Sequence, residues 1–144
     1  MKIYVASSWR NILQPGIVHA LRRCGHDVYD FKNPRPGNNG FRWTDIDPNW
    51  QQWTPDQYRA ALQHPIAQQG YRYDIEALRA CDICVLVLPS GRSASWEFGY
   101  AMGMGKRGVV MQLNTLEPEL MYREATIVTS INELFDVFGE PMES

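Results

Sequence analysis

Apolar and polar positions alternate in blocks along the chain, and these blocks predict alternating strands and helices. Lys2–Ala6 and Asp27–Phe31 are short runs of strand-forming residues, and Pro15–Cys24 between them carries apolar residues at helical spacing. Proline suits the start of a helix, and Gly25 suits its end. A strand, a helix and a strand in about thirty residues form a βαβ unit, which predicts a parallel sheet.

The same alternation continues through the second half of the chain. Ile83–Leu88 is continuously apolar, which is typical of a central parallel strand. Further helices are predicted over 55–63 and 65–80, over 93–104 with Ser93 as its cap, and over 131–138, and further strands over 108–113 and 126–128. We therefore expect one α/β domain over residues 1–144. Its predicted fold is a three-layer sandwich with a Rossmann-like (flavodoxin-like) parallel sheet of about five strands.

Composition narrows the class of protein. The chain has 144 residues, of which 44% are hydrophobic and 21% charged, as in ordinary globular domains. A net charge of −2 without a basic tract argues against nucleic acid as a partner. The longest apolar run, Ile83–Leu88, is too short to cross a membrane. An odd number of cysteines, three, and the absence of a signal-peptide pattern predict a cytoplasmic protein.

Metal and cofactor motifs are weak. The three histidines have no ligand spacing. Cys81 and Cys84 form a single C-x-x-C that precedes a strand, so we expect both to be core residues. The first strand-to-helix turn, Ser7–Gln14, contains no glycine and so lacks the dinucleotide fingerprint. We expect neither a metal nor a cofactor.

Polar clusters follow three of the predicted strands. They are Ser7–Asn11, Pro34–Gly40 and Ser90–Ser93. Ligands of open parallel sheets bind at the carboxyl ends of the strands, where these clusters would lie. The third cluster leads into a helix, whose N-terminus favours a phosphate or a carboxylate, and Arg92 adds a forked donor.

Two carboxylates could carry chemistry beside this edge. Glu97 lies near the start of the predicted helix between two aromatic residues, and Asp74 lies on the helix before the Ile83–Leu88 strand. A pair of carboxylates is what cleavage of a glycosidic bond uses. Solvated helix charges are the alternative interpretation of both residues.

Three stretches together resemble one family. Ile3–Arg10, Asp74–Asp82 and Ser93–Ala101 are similar, in order and spacing, to motifs of nucleoside 2-deoxyribosyltransferases and the related 2'-deoxynucleoside 5'-monophosphate N-glycosidases. The resemblance covers most of the chain, but Lys32–Gln69 has no counterpart. It implies an enzyme that cleaves or transfers the N-glycosidic bond of a nucleoside or nucleoside 5'-monophosphate.

The resemblance also implies roles for individual residues. Glu97 would be the nucleophile at the sugar C1', Asp74 would orient or protonate the leaving base, and Tyr4 would hydrogen-bond Glu97. The substrate-binding residues would be Ser8, Trp9, Arg10, Ser90, Gly91, Arg92 and Ser93, several of them around a 5'-phosphate. Glu119 and Met121 would complete the site of a neighbouring subunit, which implies a homo-oligomer, a dimer or larger.

Two departures from the family leave alternatives open. The turn before the nucleophile helix reads Ser90-Gly91-Arg92, where the transferases carry an acid, and this favours an anionic substrate. Glu119 stands where the family often has Asn or Ser. A catalytically silent nucleotide-binding or sensing module is therefore one alternative. A TIR-like NAD hydrolase, which also uses a Glu, is another, although the matches at Tyr4 and Asp74 favour the first family.

The segment at about 32–69 is an aromatic-rich insertion. It combines turn-forming residues with Trp43, Trp50 and Trp53. It could be a lid that closes over the base, or a small satellite core that anchors a long loop, and we favour the second interpretation.

Overall fold

A computed structural model describes residues 1–139, and its core is a five-stranded parallel sheet. The strands are β1 (Lys2–Ala6), β2 (Asp27–Asp30), β3 (Ile83–Val87), β4 (Arg107–Met111) and β5 (Thr126–Val128). The helices are α1 (Gln14–Arg23), α2 (Pro55–Ala61), α3 (Pro65–Ala80), α4 (Arg92–Gly103) and α5 (Ile131–Val137). The strand order β2-β1-β3-β4-β5 is flavodoxin-like, which confirms the predicted fold class. Residues 140–144 of the predicted domain lie outside the described residues.

Helix starts show how well local signals predicted the elements. The capping box at α2 is present, because the Thr54 hydroxyl accepts a hydrogen bond from the Gln57 amide and the Gln57 side chain accepts one from the Thr54 amide.

The predicted cap of α4 is wrong. Gly91 occupies the N-cap position without any side-chain cap, and Ser93 lies inside the first turn. The extended backbone ends at Gly91, so the helix begins before Ser93 can cap it.

One face of the sheet carries the main hydrophobic core. Side chains alternate between faces along each strand, so Ile3 and Val5 of β1 point to the same side. They pack in one buried cluster with residues of α1 and α5, including Leu21 and Leu134. This cluster fixes α1 and α5 as the layer on that face.

Helix α4 covers the opposite face. Gly108 of β4 alternates with the core residue Val109, and a Cβ added at Gly108 would collide with Phe98 and Met102 of α4. The helix therefore lies directly against the backbone of β4. Helices on both faces confirm the predicted three-layer sandwich.

The chain forms two compact units. We call Met1–Tyr29 together with the described residues from Leu78 onward the sheet unit, and Asp30–Ala77 the inserted unit. The inserted unit contains the whole predicted insertion at about 32–69.

An aromatic cluster organises the inserted unit. The Trp43 ring makes edge contacts with Phe41, Trp53 and Tyr58 at centroid distances of 4.6, 5.7 and 6.1 Å. The Trp53 indole N–H donates a 2.8 Å hydrogen bond to the Asp47 carboxylate. Phe41, Trp43 and Trp53 are half-buried and Tyr58 is exposed, so these rings pack together near the surface. The choice between a lid and a satellite core stays a prediction.

No helix within residues 1–139 is long and apolar enough to cross a membrane.

Candidate active site

The loop after β1 is joined to the end of β3 by two buried polar side chains. The Ser7 hydroxyl donates a 2.8 Å hydrogen bond to the Val87 carbonyl oxygen. The side-chain NH₂ group of Asn11 donates 3.1 Å hydrogen bonds to the carbonyl oxygens of Val87 and Pro89. β2 lies on one side of β1, and β3 lies on its other side. The direction in which strands are added therefore reverses at β1, and the topological switch point of the sheet lies between β1 and β3. The two loops at this point are thus held together.

The predicted substrate-binding residues lie on these two loops. In the loop after β1, the Ser8 hydroxyl accepts a hydrogen bond from the Arg10 amide, while the side chains of Trp9 and Arg10 are exposed. In the turn after β3, Ser90 is half-buried and its hydroxyl lies 3.5 Å from that of Ser95. Gly91, Arg92 and Ser93 follow it, exposed, at the start of α4.

The buried Cys84 thiol is related to both Tyr4 and Glu97, to the first by strand pairing and to the second by electrostatics. Tyr4 of β1 is the register partner of Cys84 in β3, and both side chains are fully buried. Glu97 is half-buried on α4, which packs against β1 and β3. Burial, then the neighbouring Cys81 and then the Glu97 carboxylate raise the pKa of the Cys84 thiol well above its usual range. The Glu97 charge thus lies close enough to act on the residue beside Tyr4.

Tyr4 is held rigidly in this arrangement. Its ring stacks on Tyr29 of β2 with a centroid distance of 5.2 Å and an interplanar angle of 21°. Full burial on a central strand leaves the ring little room to turn. The position of the Tyr4 hydroxyl is consequently set by the sheet itself.

Asp74 belongs to the inserted unit. It is half-buried on α3, next to the buried Ile75. Its pairing with Glu97 stays a prediction.

The segment predicted to serve a neighbouring subunit is exposed. Glu119 precedes a 3-10 turn over Leu120–Glu124, in which Leu120 and Met121 are 82% and 74% exposed. The Tyr122 ring contacts Phe98 of α4 at a centroid distance of 6.4 Å, which anchors the turn beside the helix that carries Glu97. Exposure of two large apolar side chains is compatible with a covering partner, and the homo-oligomer stays a prediction.

Aromatic residues around α4 also lie at the surface. Trp96 is 58% exposed and stacks on Tyr100 with a centroid distance of 5.2 Å. The Tyr100 hydroxyl accepts a hydrogen bond from the Arg79 guanidinium at 3.1 Å.

Sequence reasoning missed the residues that organise the site. Ser7 and Asn11 were identified from sequence only as members of a polar loop. Both side chains are buried, and buried polar side chains nearly always make hydrogen bonds. Their burial therefore indicates a structural role. A polar loop directly after a central strand was the only available signal.

The cysteines behave as the predicted core thiols. Cys81 and Cys84 are buried and free, and burial raises the pKa of both. Such thiols stay protonated at neutral pH and make poor metal ligands. Among residues 1–139, no group of three His, Cys, Asp or Glu side chains is placed to hold a metal ion.

The strand order defines a flavodoxin-like α/β fold, and polar loops lie at its topological switch point. Among solved structures, the chain is similar to the 2-deoxyribosyltransferase of Bacillus psychrosaccharolyticus, with a TM-score of 0.62 and 20% sequence identity. The similarity covers 93% of this chain and 90% of that enzyme, which is described as a biocatalyst for nucleoside synthesis. It shows that the chain has a nucleoside 2-deoxyribosyltransferase-like fold, as the sequence motifs predicted. No family model and no curated protein sequence matches the chain.

Proposed function

We propose that this protein cleaves or transfers the N-glycosidic bond of a nucleoside or a nucleoside 5'-monophosphate, with Glu97 as the nucleophile. The observation that carries the proposal is the placement of Glu97. It lies half-buried on the helix that packs over β1 and β3, and its charge acts on the thiol beside Tyr4. The 2-deoxyribosyltransferase-like fold supports the same chemistry.

The proposed reaction proceeds in two displacements at one carbon. The Glu97 carboxylate attacks the sugar C1', the C1'–N bond breaks, and its electron pair leaves with the base, which takes up a proton with the help of Asp74. Water or a second base then attacks C1' and releases Glu97, giving hydrolysis or transfer. Tyr4 would hydrogen-bond the carboxylate and hold it in line with C1'.

The loop after β1 and the start of α4 would bind the 5' end of the substrate. Arg10 and Arg92 are exposed cations on the loop after β1 and at the first turn of α4. The N-terminus of this 12-residue helix favours an anion, and no acidic residue lies in its first turn. These features support a 5'-phosphate as the preferred substrate group.

The first experiment measures base release by chromatography from a panel of nucleosides, nucleoside 5'-monophosphates and NAD. The wild type should release a base from at least one nucleoside or monophosphate, and Glu97→Gln should abolish this release. Glu117→Gln, a matched change at an exposed loop residue, should leave it intact. No release from any substrate would refute the proposed reaction, whereas release from NAD alone would indicate the TIR-like alternative. Ligands that stabilise the protein but are recovered intact would indicate a silent binding module.

A second experiment separates phosphate binding from chemistry. Arg92→Ala should raise KM for the monophosphate about tenfold and leave KM for the nucleoside nearly unchanged, since a lost charge-assisted contact weakens binding by that order. Arg23→Ala, an exposed cation at the end of α1, is the matched control. Equal effects of Arg92→Ala on both substrates would contradict a phosphate at the α4 N-terminus.

A further inference from the structure

We propose that Asn11 is a positioning residue, which fixes the turn after β3 against the loop after β1 and so sets the preference of the protein for a phosphorylated substrate. The inference rests on the proposed function, because it concerns the two segments that would bind the 5' end of the substrate. It goes further by assigning this preference to a residue that does not touch the substrate, since Asn11 is only 5% exposed.

The orientation of the Asn11 side chain follows from its hydrogen-bond partners. Its NH₂ group donates to the carbonyl oxygens of Val87 and Pro89, and its Oδ1 accepts the Leu13 amide at 2.8 Å. The opposite orientation would place an oxygen against two carbonyl oxygens and an NH₂ group against an N–H donor. Both hydrogens of the NH₂ group are therefore engaged, and the side chain is held from two sides.

The Pro89 carbonyl is the point at which Asn11 holds the turn after β3. The pairing of β3 with β4 ends at Val87 and Met111, before Pro89 is reached. Proline has no backbone N–H, so the carbonyl oxygen is the one backbone hydrogen-bonding group that residue 89 offers. Asn11 binds this oxygen and thereby fixes the backbone directly before Ser90.

The loop after β1 is closed by its own hydrogen bonds. The Asn11 amide donates a 3.0 Å hydrogen bond to the Ser8 carbonyl oxygen, and the Arg10 amide donates one of 3.1 Å to the Ser8 hydroxyl. This local turn ties Arg10 to Asn11. The Asn11 side chain therefore connects a closed turn on one side with the Pro89 carbonyl on the other.

One exposed cation lies on each side of this connection. Arg10 directly precedes Asn11, and Arg92 follows Pro89 in the first turn of α4. A phosphate bound by both cations gains affinity when their backbones are fixed in advance, because less conformational freedom is lost on binding. A nucleoside lacks the phosphate and gains nothing from this arrangement. Loss of the Asn11 side chain should therefore weaken binding of a monophosphate more than binding of its nucleoside.

Ser7 offers a matched comparison. It is 8% exposed, and its hydroxyl donates a 2.8 Å hydrogen bond to the same Val87 carbonyl oxygen that Asn11 contacts. A hydroxyl has a single hydrogen, so this bond uses the whole donor capacity of Ser7. Ser7→Ala thus removes a buried hydrogen bond to β3 and leaves the contact between Asn11 and Pro89 in place.

The test measures binding by isothermal titration calorimetry in a Glu97→Gln background, so that the proposed cleavage does not interfere. The probes are dAMP, dCMP, dGMP and dTMP, each compared with its nucleoside, and the selectivity is the ratio of the nucleoside Kd to the monophosphate Kd. Asn11→Ser keeps an oxygen for the Leu13 amide but is too short to reach Pro89, so it should lower the selectivity about tenfold. Ser7→Ala should leave the selectivity unchanged.

A second variant, Asn11→Ala, should lower the selectivity as much as Asn11→Ser, because both lack the NH₂ group. Thermal unfolding checks that each variant is folded. The proposal is overturned by unchanged selectivity in the Asn11 variants, by an equal loss in Ser7→Ala, by the absence of binding of every probe, or by failure of both Asn11 variants to fold. Base release by the wild type is judged separately, since binding with the expected selectivity but without release would refute the proposed reaction and retain the positioning role.

Discussion

Replacing Gly108 by alanine tests how closely α4 packs on the sheet. A Cβ at this position would lie 2.8 Å from Cζ and 3.0 Å from Cε1 of Phe98, and in still closer collision with the Met102 sulfur. Carbon atoms in contact are normally about 3.5–4.0 Å apart, so α4 has to shift or both side chains have to leave their positions. Overpacking of this kind costs about 1–3 kcal/mol in the free energy of unfolding.

The assay is urea unfolding followed by circular dichroism and Trp fluorescence. With an m-value of about 1–3 kcal/mol/M, Gly108→Ala should lower the unfolding midpoint by roughly 1 M. Gly99→Ala is the matched control, because Gly99 is an exposed position within α4 and a Cβ there meets nothing within 4 Å. That change should raise stability by about 0.5–1 kcal/mol.

The two variants are therefore expected to shift stability in opposite directions. An unchanged or raised midpoint for Gly108→Ala would refute the close packing of α4 on β4. Because Phe98 follows Glu97 directly, Gly108→Ala should also reduce any base-releasing activity more than its loss of stability explains.

Three further predictions concern a carboxylate, the cysteines and a helix cap. The amide and hydroxyl of Thr129 donate hydrogen bonds to Glu133 and lower its pKa from the ordinary value of 4.5, so this carboxylate stabilises the fold at neutral pH and loses that effect as pH falls through its folded-state pKa. The stability difference between wild type and Glu133→Gln should accordingly shrink below about pH 4.5, and a difference independent of pH would contradict this reasoning. Iodoacetamide should modify exposed Cys24 in the native protein, and Cys81 and Cys84 only after unfolding, as mass spectrometry would show; rapid native labelling of all three would refute their burial. Thr54→Ala should lower the free energy of unfolding by about 1 kcal/mol in urea titrations, with Thr44→Ala as the control, and equal effects would argue against the cap.

The elements of the fold were predictable because their signals are local. The helix over Pro65–Ala80 and the strand over Thr126–Val128 have the predicted bounds, since proline, turn residues and hydrophobic period mark their ends. The error at Ser93 is also local. Ser93 is a good capping residue, but the backbone enters the helix at Arg92 and removes it from the capping position.

Candidate site residues could be named from sequence only where a motif contains them. Glu97 and Tyr4 belong to the motifs that resemble the family, and their roles stay predictions. Tyr4 pairs with Cys84 across the sheet, and the Glu97 charge helps raise the pKa of the Cys84 thiol. The roles of Ser7 and Asn11 could not be predicted, because their hydrogen bonds go to backbone atoms about eighty residues away. Such contacts have no signal in a local pattern.

The sequence by itself determined the order of strands and helices, the parallel sheet and the residues that are candidates for chemistry. These follow from hydrophobic period, helix caps and turn residues, which act over a few neighbouring positions. Only the tertiary structure decided that Ser7 and Asn11 join the first loop to the end of β3, and that the Trp43 ring packs against Phe41, Trp53 and Tyr58. Those contacts depend on which strands pair and which loops meet, and strand pairing is set by packing between residues far apart in the chain.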